Sequence, residues 1–430
     1  MTTTRAHSNS RPAWMVGWME AALAADVALA GLVAPDVHAA GNVLLVVLLT
    51  ISHPKATSDA LIGAIGILAI AALSLVFTLA YPAPAGDVVK GLYYLLRPMV
   101  YIIVGATFLQ SIGNIGRFGY ALTLGALLSA AFYTFKYTID PNVAISSRFY
   151  IREYIGKGSV AWGVAAVFLI LCMRFVRLNI GSVVLCSLAL ALILYAIVIS
   201  TSRSYLAQIA ILLLATAVPF PSKITRVAIV GSLTIVWLLC STPLLRQLGL
   251  DVDYSVLQPI PLIGEIAPVD QNTFEGINLG WRGYEVVVAF RSIFDQGWVA
   301  TMFGVGAGQT VRLGFWFSSG SVLVDDLPVF HNIFTFLMVR SGFMGIILFF
   351  VISLGVASRF IVRYASNDRE IELARKFAFG LLVFHGYYSS VASGIYNVEE
   401  QGAIIGLCLG AFLVSSSGAP GAARVFGRSR

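Results

Sequence analysis

Repeated apolar runs of about twenty residues restrict the fold of this chain more than any other feature of its sequence. A run of that length, coiled as an α-helix, is long enough to span the hydrocarbon layer of a bilayer. Only 11% of the 430 residues are charged, whereas about 25% are charged in a typical soluble domain. We therefore expect lipid, rather than water, to surround most of the chain.

Counting these runs predicts an all-α, polytopic membrane bundle of about twelve transmembrane helices. The runs are residues 14–34, 39–53, 60–81, 89–110, 116–136, 159–178, 180–200, 204–220, 224–242, 330–357, 377–393 and 402–417. Residues 1–430 are expected to form one integral membrane domain, with a large loop at residues 243–329 before the tenth span. Short helices are expected in this loop, because an amphipathic segment begins near Trp281 and continues to about Phe294.

The positions of lysine and arginine predict how the bundle is oriented. With the N-terminus in the cytoplasm, 16 of the 28 basic residues fall in cytoplasmic segments, and the short outer loops at 35–38, 82–88 and 394–400 have none. Both termini are then cytoplasmic, and the large loop lies on the opposite side. This distribution accounts for the net charge of +7. No basic patch has interleaved aromatic residues, so nucleic acid is not expected as a partner.

Three residues on the outer side are candidates for chemistry. Arg203 lies between two spans, where it either snorkels to the interface or contacts an anion. Arg282 begins the amphipathic segment, and a helix N-terminus beside a guanidinium suits a phosphate or a diphosphate. Glu285 follows three residues later, so Arg282 and Glu285 are also candidates for a simple ion pair. His331 opens the tenth span, and its imidazole is able to accept a proton near neutral pH.

Other polar features of this region carry weaker signals. Arg340 lies nine residues after His331, too deep to snorkel easily, which indicates an anionic partner or a water-filled cavity. The glycine loop, residues 304–308, lacks the lysine and hydroxyl residues of a nucleotide-binding P-loop. Asp325 and Asp326 are interpreted as a solvated loop, and no cluster of metal-ligating residues is seen. We expect neither a metal nor a cofactor.

In order along the chain, these residues resemble the O-antigen ligase and polymerase superfamily of bacterial envelope glycan enzymes. The resemblance is strongest over residues 200–350. Its three elements are Ser202-Arg203 at the edge of a middle span, Arg282 followed by the glycine loop, and His331-Asn332 followed by Gly342 and Gly345. Arg340 departs from the family pattern, since members often have a carboxylate or an amide there.

The resemblance implies a membrane glycosyltransferase of the bacterial inner membrane. Its donor is a glycan on undecaprenyl diphosphate, and its acceptor is a hydroxyl of a lipid A core or of a growing glycan. The implied reaction inverts the anomeric carbon and needs no metal, because Arg203 and Arg282 neutralise the diphosphate. His331 then either acts as the base on the acceptor hydroxyl or orients the reacting groups. Further substrate contacts are predicted for Tyr284, Glu285, Arg291, Asn332 and Arg340.

Two other functions stay open on the sequence alone. A polysaccharide or lipid transporter, or a flippase, also has many spans, although such folds often show inverted repeats that are not visible here. A glycosyltransferase of the peptidoglycan type would instead depend on an acidic residue of the outer loop. The candidates for that residue are Asp251, Asp253, Glu265, Asp270 and Glu275.

Overall fold

A computed structural model describes most of the chain. The described residues are 13–30, 32–33, 35–52, 54–140, 158–175, 178–200, 203–217, 281–319, 322–327, 330–362, 369–392, 396 and 400–416. The predicted ninth span at 224–242 and the first part of the large loop, residues 243–280, lie outside the described residues.

Helices dominate the described residues. Eight precede the large loop: α1 (Ala13–Ala30), α2 (Pro35–Ser52), α3 (Pro54–Thr78), α4 (Ala85–Ile112), α5 (Ile115–Ile139), α6 (Val160–Phe175), α7 (Ile180–Ile199) and α8 (Arg203–Ala217). The others are α9 (Trp281–Phe294), α10 (Trp298–Phe303), α11 (Ile333–Val362), α12 (Arg369–Ala392) and α13 (Glu400–Ser416). The helical character predicted for the apolar runs is confirmed for eleven of the twelve.

The described helices are those of a membrane-embedded protein. Four of them are long and apolar enough to cross a bilayer: α4, α5, α7 and residues 333–353 of α11. Shorter apolar helices accompany them. Large apolar side chains of α7 are exposed, including Ile180 at 85% and Leu185 at 69%. Exposed apolar surface of this kind is stable when lipid covers it.

One part of the described large loop departs from the all-α prediction. Strands β1 (Val311–Ser319) and β2 (Val322–Leu327) form an antiparallel hairpin with a register irregularity between Arg312 and Phe317. Side chains at the start of β1 alternate between buried Val311, exposed Arg312 and buried Leu313. This period of two is that of a strand with one covered face, and it differs from the period of 3.6 that predicts a helix.

Glycines allow α4 and α13 to cross at close range. A Cβ at Gly410 of α13 would lie 1.9 Å from the carbonyl oxygen of Ile102 in α4, and a Cβ at Gly105 would lie 2.0 Å from that of Leu407. No other residue type fits such a backbone approach.

An apolar cavity lies at one end of the bundle, lined by Ile115, Leu171, Leu373 and Phe412. The helix ends around this cavity are the ones that the positions of the basic residues predict to be cytoplasmic.

The glycine loop joins the described part of the large loop to the bundle. The N–H of Ala307 donates to the hydroxyl of Thr78 at the end of α3, over 2.9 Å. The side chain of Gln309 donates to the carbonyl of Tyr81 over 3.0 Å. Next to this loop, the ring of Phe303 in α10 stacks on Phe77 of α3, with ring centroids 4.8 Å apart. The glycine loop and α10 are therefore held against the end of α3.

Candidate functional site

Glu285 of α9 and His331, just before α11, form a hydrogen-bonded pair in the described structure. The Nδ1 atom of His331 lies 2.9 Å from Oε1 of Glu285 and 3.2 Å from Oε2. The backbone N–H of His331 also donates to Oε2, over 3.1 Å. The carboxylate is buried, with 2% of its side chain exposed, whereas 52% of the histidine side chain is exposed. The buried carboxylate of Glu285 therefore holds the exposed imidazole of His331 in place at the protein surface.

This arrangement decides which ring nitrogen of His331 faces outward. An ionised carboxylate only accepts hydrogen bonds, so the neutral imidazole places its proton on Nδ1, toward Glu285. The Nε2 atom then carries a lone pair on the exposed side of the ring. A carboxylate that fixes an imidazole in this tautomer is the arrangement that prepares a histidine as a general base.

Two local structures position the pair. Helix α9 presses Val286, Ala289, Phe290 and Ile293 into the core, which turns Glu285 inward from the same helix. Asn332 caps α11, since its side-chain oxygen accepts from the N–H of Phe334 over 2.8 Å. A cap next to His331 fixes the backbone from which the imidazole projects.

Tyr284 ties α9 to the hairpin. Its hydroxyl donates to the carbonyl of Leu313, and its ring lies 5.6 Å from the ring of Phe315. Burial raises the pKa of Tyr284. The hydroxyl therefore stays protonated and able to donate across the neutral range. The predicted substrate contacts of Tyr284, Glu285 and Asn332 stay predictions, whereas their contacts within the protein are observed.

Arg340 lies inside the bundle, with 1% of its surface exposed. Its Nη1 atom donates to the carbonyls of Gly306 and Ala307, and its guanidinium lies 5.7 Å from the ring of Phe336. Arg340 thus connects α11 with the glycine loop. These contacts explain how an arginine is accommodated at this depth; the predicted substrate contact of Arg340 stays a prediction.

A break in α11 brings the glycine loop close to this arginine. Gly342 has φ 61° and ψ −161°, and a Cβ there would lie 2.4 Å from the carbonyl carbon of Met302. Gly304, with φ 77°, approaches Ser341 equally closely. The N–H of Val305 donates to the carbonyl of Val339 over 2.9 Å. Gly304 and Gly342 therefore allow the backbones of the glycine loop, α10 and α11 to approach closely.

The other candidate residues are described only in part. Arg203 is the first residue of α8 and Arg282 the second of α9, but both side chains lie outside the described part of the structure, as do Asp251, Asp253, Glu265, Asp270 and Glu275. Arg291 is exposed in the last turn of α9. The helix that was predicted to end near Phe294 is confirmed.

The sequence did not predict the pairing of Glu285 with His331. Helical spacing instead indicates a pair with Arg282, the neighbour of Glu285 on the same helix, because spacing reveals only local pairs. The residues of the observed pair are 46 positions apart. An acidic residue on the apolar side of an amphipathic helix was the available signal, since a buried carboxylate needs a donor.

Comparison with known proteins gives no family assignment: no protein-family model matches the chain, and no curated protein matches it.

Proposed function

We propose that this protein is a membrane glycosyltransferase that moves a glycan from an undecaprenyl-diphosphate donor to an acceptor hydroxyl. The observation that carries the proposal is the Glu285–His331 pair, a buried carboxylate that orients an exposed imidazole. The order of the sequence motifs supports the donor and the reaction class. The protein would cross the bacterial inner membrane about twelve times, with both termini in the cytoplasm.

In the proposed reaction, Nε2 of His331 accepts the proton of the acceptor hydroxyl as its oxygen attacks the anomeric carbon. A new carbon–oxygen bond forms there while the bond to the diphosphate breaks, and the diphosphate leaves with the electron pair. Attack opposite the leaving group inverts the anomeric centre. Glu285 stabilises the imidazolium that forms, because its carboxylate lies 2.9 Å from Nδ1.

Leaving-group stabilisation is assigned to Arg203 and Arg282. A diphosphate carries concentrated negative charge as it departs, and guanidinium groups bind such oxygens in a bidentate manner. Both residues belong to the first turn of a helix, where unpaired N–H groups add to the positive field. No metal is needed for this step in the proposal.

The proposal is tested by transfer assays on purified protein in lipid nanodiscs with an undecaprenyl-diphosphate glycan donor. We expect His331→Ala, Arg203→Ala and Arg282→Ala each to abolish transfer while the protein still inserts. Asp295→Asn is the control, because Asp295 is an exposed carboxylate just beyond the end of α9. Full transfer by all three alanine variants would refute the proposal.

Gel analysis of the envelope glycan in a deletion strain separates the two acceptor classes. A single repeat unit on lipid A identifies a lost polymerase. Polymer retained on undecaprenyl diphosphate identifies a lost ligase. Both results agree with the proposed chemistry, since the donor and the leaving group are the same.

A transporter or flippase is the second candidate, and one observation favours it. Arg97 of α4 and Asp26 of α1 are 3% and 6% exposed within apolar helices, and charged residues inside spans often mark transport pathways. A transporter would lose its activity in Arg97 variants and keep it in His331 variants. A glycosyltransferase would show the opposite dependence on His331.

A further inference from the structure

An exposed apolar stripe runs along one face of α3, from the middle of the helix to its end. Its large residues are Ile65, Leu68, Leu75, Val76 and Leu79, and between 38% and 84% of each is exposed. Spacings of three, four and seven residues place them on the same face of the helix. As on α7, an exposed apolar surface of this kind is stable when lipid covers it. The stripe is therefore a lipid-facing surface.

Helix α10 of the large loop lies against the end of α3 where this stripe ends. The ring of Phe303 in α10 stacks on Phe77, with ring centroids 4.8 Å apart, and Phe77 lies two residues before Leu79. Trp298 is the first residue of α10 and Phe303 the last. Five residues of α-helix separate them, which is about 8 Å along the helix axis. The start of α10 is therefore close to the end of the apolar stripe.

The indole of Trp298 points away from the protein. Trp298 is 73% exposed, whereas Ala300, two residues later, is fully buried. Successive residues of an α-helix are turned by about 100°, so these two side chains point in nearly opposite directions. The backbone here is fixed by hydrogen bonds, since Gly297 donates to Phe294 and Thr301 donates to Gly297, each over 3.0 Å. Helix α10 therefore packs one face on the bundle and presents the tryptophan outward.

The residues around the indole match the chemistry of a membrane interface. A tryptophan side chain has a large apolar ring and one N–H donor, and tryptophan is enriched where the acyl chains of a bilayer meet the headgroups. Asp295 and Gln296 come just before Trp298, and both are exposed. The segment thus changes from polar to apolar within a few residues. Lipid headgroups accommodate the polar part, and the first carbons of the acyl chains accommodate the ring.

Continuity with α3 favours lipid over a protein partner as the molecule that covers Trp298. Leu79 directly follows the last residue of α3 and is 84% exposed. A bilayer that covers the stripe of α3 reaches Leu79 in any case, and the neighbouring indole then meets the same lipid. A protein bound at Trp298 would instead have to displace lipid from the end of the stripe.

From these observations, we infer that α10 lies in the membrane interface and that Trp298 inserts among the lipid headgroups beside Leu79. The large loop is then anchored to the lipid as well as to the bundle. The positions of the basic residues predict that this leaflet is the one away from the cytoplasm. The inference concerns the place of α10 and does not depend on the proposed transfer reaction.

Tryptophan fluorescence of the full chain in lipid nanodiscs measures the depth of Trp298. Its contribution is the difference in emission between the wild-type protein and Trp298→Phe, which keeps an aromatic ring at an exposed position. Phosphatidylcholine brominated close to the headgroup quenches tryptophan at the interface, and phosphatidylcholine brominated at the chain ends quenches tryptophan near the midplane. We expect the first lipid to remove most of the Trp298 emission and the second to leave most of it. Acrylamide in the water should quench it much less than it quenches free tryptophan.

Matched variants calibrate the depth. Leu79→Trp and Ile65→Trp, each made in the Trp298→Phe protein, place a tryptophan at positions that are 84% and 67% exposed. The two positions are about 21 Å apart along α3. Trp298 should show the quenching pattern of Leu79→Trp and not that of Ile65→Trp. Trp162→Phe gives the buried control, because Trp162 is 1% exposed and its emission should respond least to either lipid.

Three results would overturn the inference. Quenching by acrylamide but by neither brominated lipid places Trp298 in water. Quenching by none of the three agents means that protein covers the indole. Stronger quenching by the bromines at the chain ends than by those near the headgroup places α10 below the interface.

Discussion

Replacing Glu285 by glutamine removes one charge from the proposed site and almost no volume. The carboxylate accepts from Nδ1 of His331 over 2.9 Å and from the backbone N–H of the same residue over 3.1 Å. An amide keeps one acceptor oxygen and turns the other group into a donor. If its oxygen stays with the backbone N–H, its NH₂ group faces Nδ1 and moves the imidazole proton to Nε2. The outward nitrogen then no longer accepts a proton.

The size of the effect follows from these contacts. Loss of a correctly protonated general base lowers the rate by about 10²- to 10⁴-fold, which corresponds to about 3–5 kcal/mol in the barrier. Glu285 is 2% exposed, so a substrate has little access to it and KM is expected to change little. One buried donor left unsatisfied destabilises the fold by about 1–3 kcal/mol. We therefore expect a loss of kcat much larger than the loss of folded protein.

Single-turnover transfer in nanodiscs separates these quantities. Glu285→Gln is compared with Glu285→Asp, which keeps the charge with a shorter side chain, and with Asp295→Asn, which removes an exposed carboxylate. We expect Glu285→Asp to recover part of the rate. A Glu285→Gln variant within about threefold of the wild-type kcat would refute the orienting role, since a base in the wrong tautomer loses at least about 10²-fold. A rise in KM alone would instead indicate that Glu285 contacts the substrate.

Three further predictions concern the parts that support the site. Gly91→Ala is expected to impair folding, because a Cβ there would lie 1.7 Å from a carbonyl oxygen of the glycine loop. Gly86→Ala in the same helix is the control, since its Cβ would meet nothing within 4 Å. Thermal unfolding of both variants in detergent checks this, and equal melting temperatures would contradict it. Asn332→Ala removes a helix cap and should destabilise the protein by about 1 kcal/mol, as measured by denaturant unfolding; an unchanged midpoint would contradict the capping role. A hydrogen bond with Asp326, with smaller contributions from burial and from the like charge, raises the pKa of Asp325 above its ordinary value. A pKa raised by folding contributes stability below the ordinary aspartate pKa that is lost as pH rises through the raised one. The protection factors of the hairpin amides, which are corrected for the intrinsic pH dependence of exchange, should therefore be highest in acid, and Asp325→Asn should remove this dependence.

Several features of the fold could be predicted because they depend on local sequence. A bilayer requires each crossing segment to satisfy its backbone hydrogen bonds internally, so an apolar run of sufficient length becomes a helix whatever its neighbours are. The end of α9 at Phe294 was also predictable, because the helical periodicity of its apolar residues ends there. The hairpin was missed, since only a few residues of β1 show the alternation of a strand and Gly314 interrupts it.

The sequence by itself determined that this protein is helical and embedded in a membrane, and it placed His331 among the candidate residues for chemistry. Only the tertiary structure decided which partners these residues have. Glu285 meets His331 across 46 positions, and Arg340 meets the glycine loop across 33 and 34. Spacing along one helix reveals neighbours within a turn or two, whereas these contacts arise when α9 and the glycine loop pack against α11. The orientation of the imidazole depends on that packing.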